Sequence, residues 1–448
     1  MNVGLNLLGR VRPGASEGVL PRIEAWVHRE CAGNLVAVRY ETDALGRPFL
    51  FLQLHPLSRG TRIVDLGDHR VQVVADTAPV GPGYHVYHCS LLKKLASAFG
   101  ITWESGNHER GTGDPTGFFD TGDEMALYRA VLSWFQEQAV AKLVEANDTG
   151  GHVSLLLPDG VEYVTADPVA TPMGPKSLAW LELVAARPMH AIPIFPWWEP
   201  GDAARAMLSR AIGQMWMDVR WRSPLTKAEH GLMLEVVSLL EAVHAAEPTL
   251  DLPWREWSEI YRYLGASGPV VQEVAAHADL VTGPLIGYRR GMVRRRVMGG
   301  WSLEVPGSFA EKWEDRSTWV GWEDGRSVWL TCFANRTGKA PTIPPQLALG
   351  DASTTWGEVL EYQTERVLGS ALLDRSIDED GEKTWQLATR SAVAGHLAVA
   401  TICFVNDDER NWALQAWRSI QHESTTAAPQ LLLDSEYEVT DVGARQAR

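Results

Sequence analysis

The chain has 448 residues, enough for about two to four domains. Apolar residues make up 45% of it and charged residues 22%, which excludes a wholly disordered, collagen-like or coiled-coil chain. Its 41 Lys and Arg residues against 56 Asp and Glu residues give a net charge of −15. An acidic balance of this size argues against non-specific nucleic-acid binding, because such binding needs a basic surface.

The sequence predicts neither a membrane span nor a secretion signal. No apolar run approaches the ~18 residues of a spanning helix, and residues 1–14 lack the basic stretch that opens a signal peptide. The four cysteines stand far apart without CxxC spacing, which indicates free thiols in a reducing compartment and disfavours a structural zinc site. We therefore predict a cytoplasmic location.

Residues 1–172 predict an N-terminal α+β domain with an antiparallel sheet and flanking helices. Apolar residues at helical spacing predict a helix over 18–31. A second apolar face, after the break at Gly81-Pro82-Gly83, predicts another short helix. A longer helix is predicted from Thr121, where Glu124 completes a capping box. Strands are predicted over 35–40, 49–54, 62–66 and 70–74, and a short hairpin over 152–165.

Residues 173–268 predict a helical subdomain. Thr226 and Glu229 form a second capping box, and Gly265 is a natural helix stop. Residues 269–300, rich in glycine and ending in an arginine run, predict a linker.

The C-terminal part predicts a second antiparallel sheet. Alternating runs over 317–322 and 327–334 flank an Asp-Gly turn, which is a strong hairpin signal. Two further strands are predicted around the acidic turn 378–381, and the almost wholly apolar run 396–404 predicts a central strand. A last helix carries an apolar face over 412–420, and residues 424–448 predict a flexible tail.

A family resemblance rests on three segments of this region. They are Trp301–Phe309 at its start, Leu397–Ile402 within the predicted sheet, and the last predicted helix, Trp412–Ile420. Residues 301–422 resemble the Mog1/PsbP-like fold, including the DcrB-type domains of bacteria. That family consists mostly of adaptors, assembly factors and effector chaperones of a bacterial secretion system. The resemblance therefore implies protein binding and brings no catalytic residue with it. No family resemblance is identified for residues 1–265.

Two groups of residues are candidates for a binding surface. Tryptophan is abundant, with 19 residues, and such rings either fill a core or form an aromatic recognition surface. The candidates for the second role are Trp313, Trp319 and Trp322. Arginines can hold phosphate or an acidic partner, or pair with the acidic residues of their own chain. The arginines concerned are Arg289, Arg290, Arg294, Arg295 and Arg296.

An alternative hypothesis is an enzyme with a metal-assisted hydrolytic site in the N-terminal region. His85 and His88 share a face if their segment is helical, and Asp120 belongs to an acidic cluster that also contains Asp114. The simpler interpretations are half-buried side chains and carboxylates that stabilise a helix N-terminus. The chain has no GxSxG, GxxxxGK[ST], HExxH or GxGxxG motif, which lowers the expectation of an enzyme.

The leading hypothesis is a non-enzymatic cytoplasmic protein-binding protein without a cofactor. An immunity protein, or an effector chaperone or adaptor, fits the net charge of −15. An acidic surface attracts a basic toxin or secreted effector and speeds their encounter.

Overall fold

The computed structural model is a mixed α+β protein, as the sequence predicts. It describes residues 3–12, 18–31, 33–43, 46–107, 111–149, 152–165, 167–334, 343–349, 358–364, 367–377 and 383–423. The predicted acidic turn at 378–381 and the predicted tail at 424–448 lie outside the described residues. Among the helices that are described, none combines the length and the apolar character needed to cross a membrane.

The chain divides into two compact units. The N-terminal unit comprises Met1–Arg295, Glu304–Lys312 and Gly321–Asp324, and the C-terminal unit comprises Arg296–Leu303, Trp313–Val320 and Gly325–Arg448. The helices predicted as a separate subdomain thus belong to the same unit as the N-terminal sheet. Two segments of the predicted C-terminal domain, residues 304–312 and 321–324, also belong to the N-terminal unit.

A six-stranded antiparallel sheet begins the N-terminal unit, with the order β2-β3-β4-β5-β1-β6. Its strands are β1 (Gly4–Val11), β2 (Ala37–Thr42), β3 (Pro48–Gln53), β4 (Thr61–Gly67), β5 (Arg70–Asp76) and β6 (Ile101–Trp103). The predicted hairpin between β4 and β5 is confirmed. Asp68 and His69 both adopt left-handed backbone angles there, with φ of 49° and 61°, as tight hairpin turns require.

Helices make up most of the rest of the N-terminal unit. They are α1 (Val19–Glu30), α2 (Pro82–Phe99), α3 (Phe118–Thr121), α4 (Glu124–Thr149), α5 (Leu178–Ala186), α6 (Ala203–Met217), α7 (Lys227–Ala246), α8 (Trp254–Leu264) and α9 (Pro269–Ala278). The cap predicted for α7 is confirmed, because the Thr226 side chain accepts a hydrogen bond from the Glu229 backbone N–H. Gly265 ends α8 in a left-handed conformation, with φ of 64°. Helices α6 to α9 share a buried core that includes Trp257 and Ile260.

Three local predictions for this unit are wrong. The predicted hairpin at 152–165 does not form, because β7 (Val153–Ser154) pairs in parallel with β9 (Val169–Ala170), whereas β8 (Val161–Tyr163) pairs with β10 (Met292–Arg296). The predicted linker over 269–300 contains α9 and β10. The long helix α4 begins at Glu124 and not at Thr121; its cap is Asp123, whose Oδ1 accepts from the Ala126 N–H at 3.0 Å.

The remaining elements follow in chain order. They are β11 (Trp301–Pro306), β12 (Ala310–Trp313), β13 (Thr318–Glu323), β14 (Arg326–Ala334), α10 (Pro345–Leu349), β15 (Glu358–Gln363), β16 (Leu368–Ile377), β17 (Lys383–Val393), β18 (His396–Phe404), α11 (Arg410–Arg418) and β19 (Gln421–His422). The predicted hairpin of β13 and β14 and the predicted central strand β18 are both confirmed. From β13 onwards the order along the sheet is β13-β14-β18-β17-β16-β15, so β18 lies in its interior.

The pairing registers of this C-terminal sheet fix which side chains share a face, since directly paired residues point to the same side. Val328, Ile402, Leu387 and Leu373 stand in one row across four strands, and each is at most 4% exposed. Helix α11 packs on this inner face: Trp417 is fully buried, and its ring meets that of Tyr362 edge-on at 4.8 Å. The core of the C-terminal unit therefore lies between the inner face and α11.

Candidate functional site

The opposite side of the C-terminal sheet carries exposed apolar side chains. We call this side the outer face and define it by the paired row Trp329, Thr401, Ala388, Leu372 and Val359, together with Phe333. Trp329 is 44% exposed, Val359 46% and Phe333 53%. Side chains of this size are seldom left exposed together unless they serve an interaction.

Helix α10 covers only one part of the outer face. The Arg390 guanidinium donates through Nη1 to the Leu349 carbonyl at the end of α10, at 2.6 Å. The Ile343 carbonyl, just before α10, accepts from the Gly395 N–H in the turn between β17 and β18. Arg390 belongs to the row next to that of Trp329, on the side nearer this turn. The short helix therefore lies over the turn end of the sheet, whereas Trp329 and Val359 stay exposed.

The structure separates the three tryptophans that were candidates for a binding surface. Trp313 is 42% exposed, Trp319 is 1% exposed, and Trp322 is half-buried with the Lys312 ammonium 5.8 Å from its ring centre. Trp319 is therefore a core residue. Trp329 and Phe333 are exposed aromatic residues that the sequence-based prediction did not include. The signal was the alternation along β14, where both residues have the opposite parity to the buried Val328 and Leu330.

The arginines of the run pair with carboxylates and carbonyls of the same chain. This arrangement corresponds to the interpretation that they pair with their own chain and not with an external anion. Arg290 pairs with Glu259 and stacks on Trp221, with 3.7 Å from its guanidinium carbon to the ring centre. The others have similar contacts: Arg289 donates to the Met217 carbonyl, Arg294 pairs with Glu304, Arg295 with Glu311, and Arg296, 51% exposed, with Glu423. An external anion would have to displace these partners.

Glu311 is the centre of a compact ion-pair network in the N-terminal unit. Its carboxylate oxygens lie 2.8 Å from Arg220, 3.6 Å from Arg289 and 2.8 Å from Arg295. All four side chains are at most 19% exposed. At this depth an ion pair is screened weakly, so the loss of the carboxylate would leave three cations without their common partner.

A buried polar cluster lies on helix α2. His85 and Cys89 are four residues apart and therefore lie on one face of the helix, where the Asp114 carboxylate meets them. One donor atom from each of the three residues lies within 4.8 Å of the other two. His85 Nε2 is 3.2 Å from Asp114 Oδ2, and the three residues are 0%, 1% and 3% exposed in chain order.

Hydrogen bonds fix the orientation of His85 and Asp114. His85 Nδ1 is 2.8 Å from the Thr77 hydroxyl. Asp114 Oδ1 accepts from the Thr116 N–H and hydroxyl, and Oδ2 accepts from the Phe119 N–H at 2.8 Å. Burial acts to raise the pKa of the Asp114 carboxyl, but the hydrogen bonds from His85 and the backbone outweigh it, and the pKa lies below the ordinary value. Burial, with the nearby Asp114 charge, raises the pKa of the Cys89 thiol.

The predicted metal set of His85, His88 and Asp120 does not assemble. His88 is buried, but its Nε2 is 2.7 Å from the Thr61 hydroxyl, beside a cavity of about 10 Å³ that has room for about one water molecule. Asp120 is exposed on α3. The residues that cluster with His85 are Cys89 and Asp114. The sequence spacing identified the segment that contains His85 and Cys89. It did not predict that Asp114 contacts this segment, because that contact depends on the tertiary fold.

His55 provides a pH-dependent contribution to the stability of the N-terminal unit. It is 3% exposed, and its Nδ1 accepts a hydrogen bond from the Leu57 N–H. Burial, with the charge of Arg210, lowers the pKa of His55 from 6.5 to about 3. The His55 imidazole is therefore protonated below about pH 6.5 in the unfolded chain, but only below about pH 3 in the folded chain. The free energy of unfolding consequently falls as the pH falls through this range.

We expect the free energy of unfolding to fall by about 2 kcal/mol through His55 alone between pH 6.5 and pH 5. In His55→Gln this part of the pH dependence should be absent, because the amide does not titrate. Urea unfolding at both pH values measures it, with the exposed His152→Gln as the control. Equal pH dependence in the wild type and His55→Gln would contradict the burial of a neutral imidazole.

The comparisons with known proteins identify no family for this chain. No family model matches it, and no curated protein matches it. Among solved structures, a crystal structure from Bacteroides thetaiotaomicron VPI-5482 matches with a TM-score of 0.23 and 7% sequence identity. The match covers 29% of this chain and 47% of that chain. A likeness this slight carries no argument about fold or function.

Proposed function

We propose that the chain is a non-enzymatic protein-binding protein and that its C-terminal unit binds another polypeptide through the outer face. The observation that carries this proposal is the in-register row from Trp329 to Val359 on the side of the sheet opposite to α11. Its inner counterpart from Val328 to Leu373 is buried, so the exposure of the outer row is specific to one face.

The composition of the outer face suits a protein ligand. Aromatic anchors such as Trp329 and Phe333 are the side chains that most often dominate binding energy, and each can bury about 150–250 Å². Polar residues border them on the same side of the sheet, among them Glu361, Gln386 and Arg390. An apolar centre with a polar rim is the usual anatomy of a protein interface.

The net charge of −15 favours a basic partner. Opposite charge raises the rate of encounter and suppresses acidic competitors. An immunity protein that neutralises a basic toxin, or a cytoplasmic chaperone or adaptor for a secreted effector, would have this charge. The resemblance of residues 301–422 to Mog1/PsbP-like domains supports the same class of function, since those domains mostly bind proteins.

The alternative, metal-assisted hydrolysis in the N-terminal unit, requires a coordination position that a substrate can reach. His85, Cys89 and Asp114 are each at most 3% exposed. Their burial favours a structural role over a catalytic one.

The test begins with a stoichiometric partner isolated from native lysate, which is then purified and titrated against the chain by calorimetry. We expect Trp329→Asp to weaken binding by about 100-fold or more, because it replaces the largest aromatic anchor of the outer face with a charge. The matched control is Val144→Asp on α4, where an exposed apolar residue (59%) lies in the N-terminal unit. It should change the affinity by less than about threefold.

Two results would contradict the proposal. One is the absence of any stoichiometric partner in native lysate. The other is a partner whose affinity is lowered by Val144→Asp and not by Trp329→Asp, which would place the interface on the N-terminal unit.

A further inference from the structure

We propose that His85, Cys89 and Asp114 form a structural site for one zinc-class divalent ion in the N-terminal unit. The three donor atoms lie within 4.8 Å of one another, and His85 Nε2 and Asp114 Oδ2 are 3.2 Å apart. In a tetrahedral zinc site with metal–ligand distances of about 2.0–2.3 Å, neighbouring donors stand roughly 3.3–3.8 Å apart. Side-chain adjustments of about 1 Å therefore complete the set.

The chemistry of the donors selects the metal. An imidazole nitrogen, a thiol sulfur and a carboxylate oxygen together suit zinc and the neighbouring transition metals, whereas calcium and magnesium require oxygen ligands. Binding converts the Cys89 thiol to a thiolate and releases its proton to solvent. The thiolate and the Asp114 carboxylate then balance the two positive charges of the ion. The buried site becomes electrically neutral, which removes the main cost of placing an ion in an apolar interior.

The surrounding hydrogen bonds match the outer shell of a metal site. A metal-bound histidine almost always engages its second ring nitrogen in a hydrogen bond, as His85 Nδ1 does with the Thr77 hydroxyl. When Nδ1 is the donor, Nε2 presents a lone pair towards the Asp114 carboxylate, and two acceptors face each other at 3.2 Å. A cation between them turns this repulsion into attraction. The other tautomer, in which Nε2–H donates to Asp114, needs no metal.

A fourth oxygen is close to the same cluster. The Thr116 hydroxyl lies 3.4 Å from His85 Nε2 and 2.8 and 2.9 Å from the two oxygens of Asp114. This hydroxyl donates to Asp114 and accepts from the Phe118 N–H, and its oxygen is the one that we assign as the fourth ligand of the ion. A closed and buried site is the form that structural zinc takes. The ion would join α2 to the turn before α3, two segments that 24 residues of chain separate (Cys89 to Asp114).

The experiment uses the full chain, purified without chelators, loaded with zinc and then dialysed. We expect about one zinc equivalent per chain for the wild type and less than about a tenth for Cys89→Ala and Asp114→Asn. The matched control is Cys31→Ser, because Cys31 is also a buried free thiol (2% exposed) and lies outside the cluster. Its zinc content should equal that of the wild type.

A second measurement does not depend on the folding of variants. Cobalt(II) bound to the wild type should show thiolate-to-metal charge-transfer absorption and the intense visible bands of tetrahedral coordination. Zinc should displace the cobalt and abolish both features.

Removal of zinc with a chelator should lower the Tm of the wild type by several degrees and leave that of Asp114→Asn unchanged. A zinc-loaded wild type that retains less than about a tenth of an equivalent and gives no cobalt–thiolate absorption would overturn the proposal in favour of the metal-free tautomer. Partner binding through the outer face is measured separately, so the two proposals can fail independently.

Discussion

Glu311→Gln is expected to destabilise the N-terminal unit by about 3–5 kcal/mol. The substitution keeps the shape of the side chain but removes the charge that Arg220, Arg289 and Arg295 share at 2.8–3.6 Å. Removing one partner of a buried ion pair is strongly destabilising, because the remaining charges stay desolvated. Here the three arginines would lose their common carboxylate and keep only weaker partners, such as Glu229 at 3.9 Å from Arg220. Chemical unfolding with urea measures the difference.

The matched control for this prediction is Glu104→Gln. Glu104 pairs with Arg10 at 3.2 Å, but these side chains are 40% and 74% exposed. Solvent screens such a pair, so its loss should cost less than about 1 kcal/mol. If Glu311→Gln costs no more than Glu104→Gln, the arginine run is not held by Glu311. The arginine run would then be able to bind an external anion.

Trp417→Ala is expected to destabilise the C-terminal unit by about 3–5 kcal/mol, whereas Trp329→Ala should cost less than about 1 kcal/mol. The two residues are of the same type and belong to opposite sides of one sheet. Trp417 is 0% exposed between α11 and the inner face, so its truncation leaves a cavity. Trp329 is 44% exposed, so its truncation removes mostly solvated surface.

Thermal unfolding of both variants, followed by circular dichroism, provides the comparison. Calorimetry with the purified partner then separates stability from binding, since Trp329→Ala should weaken the complex and leave the fold intact. Equal destabilisation by the two substitutions would mean that Trp329 is a core residue. The outer face would then not be a free surface.

The elements that the sequence predicted correctly are those that local patterns specify. The β4–β5 and β13–β14 hairpins follow from alternation around a short turn. The N-terminus of α7 follows from the side chain of Thr226, and the end of α8 follows from the left-handed conformation of Gly265. In each of these elements the residues that determine the structure lie within a few positions of one another.

The predictions that failed depend on contacts between distant segments. Strand β8 pairs with β10, some 130 residues further along the chain, so the residues next to β8 in the sequence do not identify its partner. The sequence predicts a linker over 269–300 because this segment is rich in glycine and ends in the arginine run. The structure pairs these arginines with carboxylates such as Glu259 and Glu311, which no local pattern connects to the run.

The candidate sites show the same division. Helical spacing places His85 and Cys89 on one face, but the approach of Asp114 depends on the tertiary fold. For the outer face, alternation in β14 separates Trp329 and Phe333 from the core. The register across five strands was needed to show that Leu372 and Val359 continue the same row.

The central claim is that the outer face contacts the partner directly, and site-specific photo-crosslinking tests it best. A benzophenone amino acid at Phe333, which is 53% exposed on the outer face, should crosslink to the bound partner on irradiation. The same group at Val144 in the N-terminal unit should not. Crosslinks from position 144 alone, or none from position 333 in a complex that calorimetry shows to be intact, would contradict the claim.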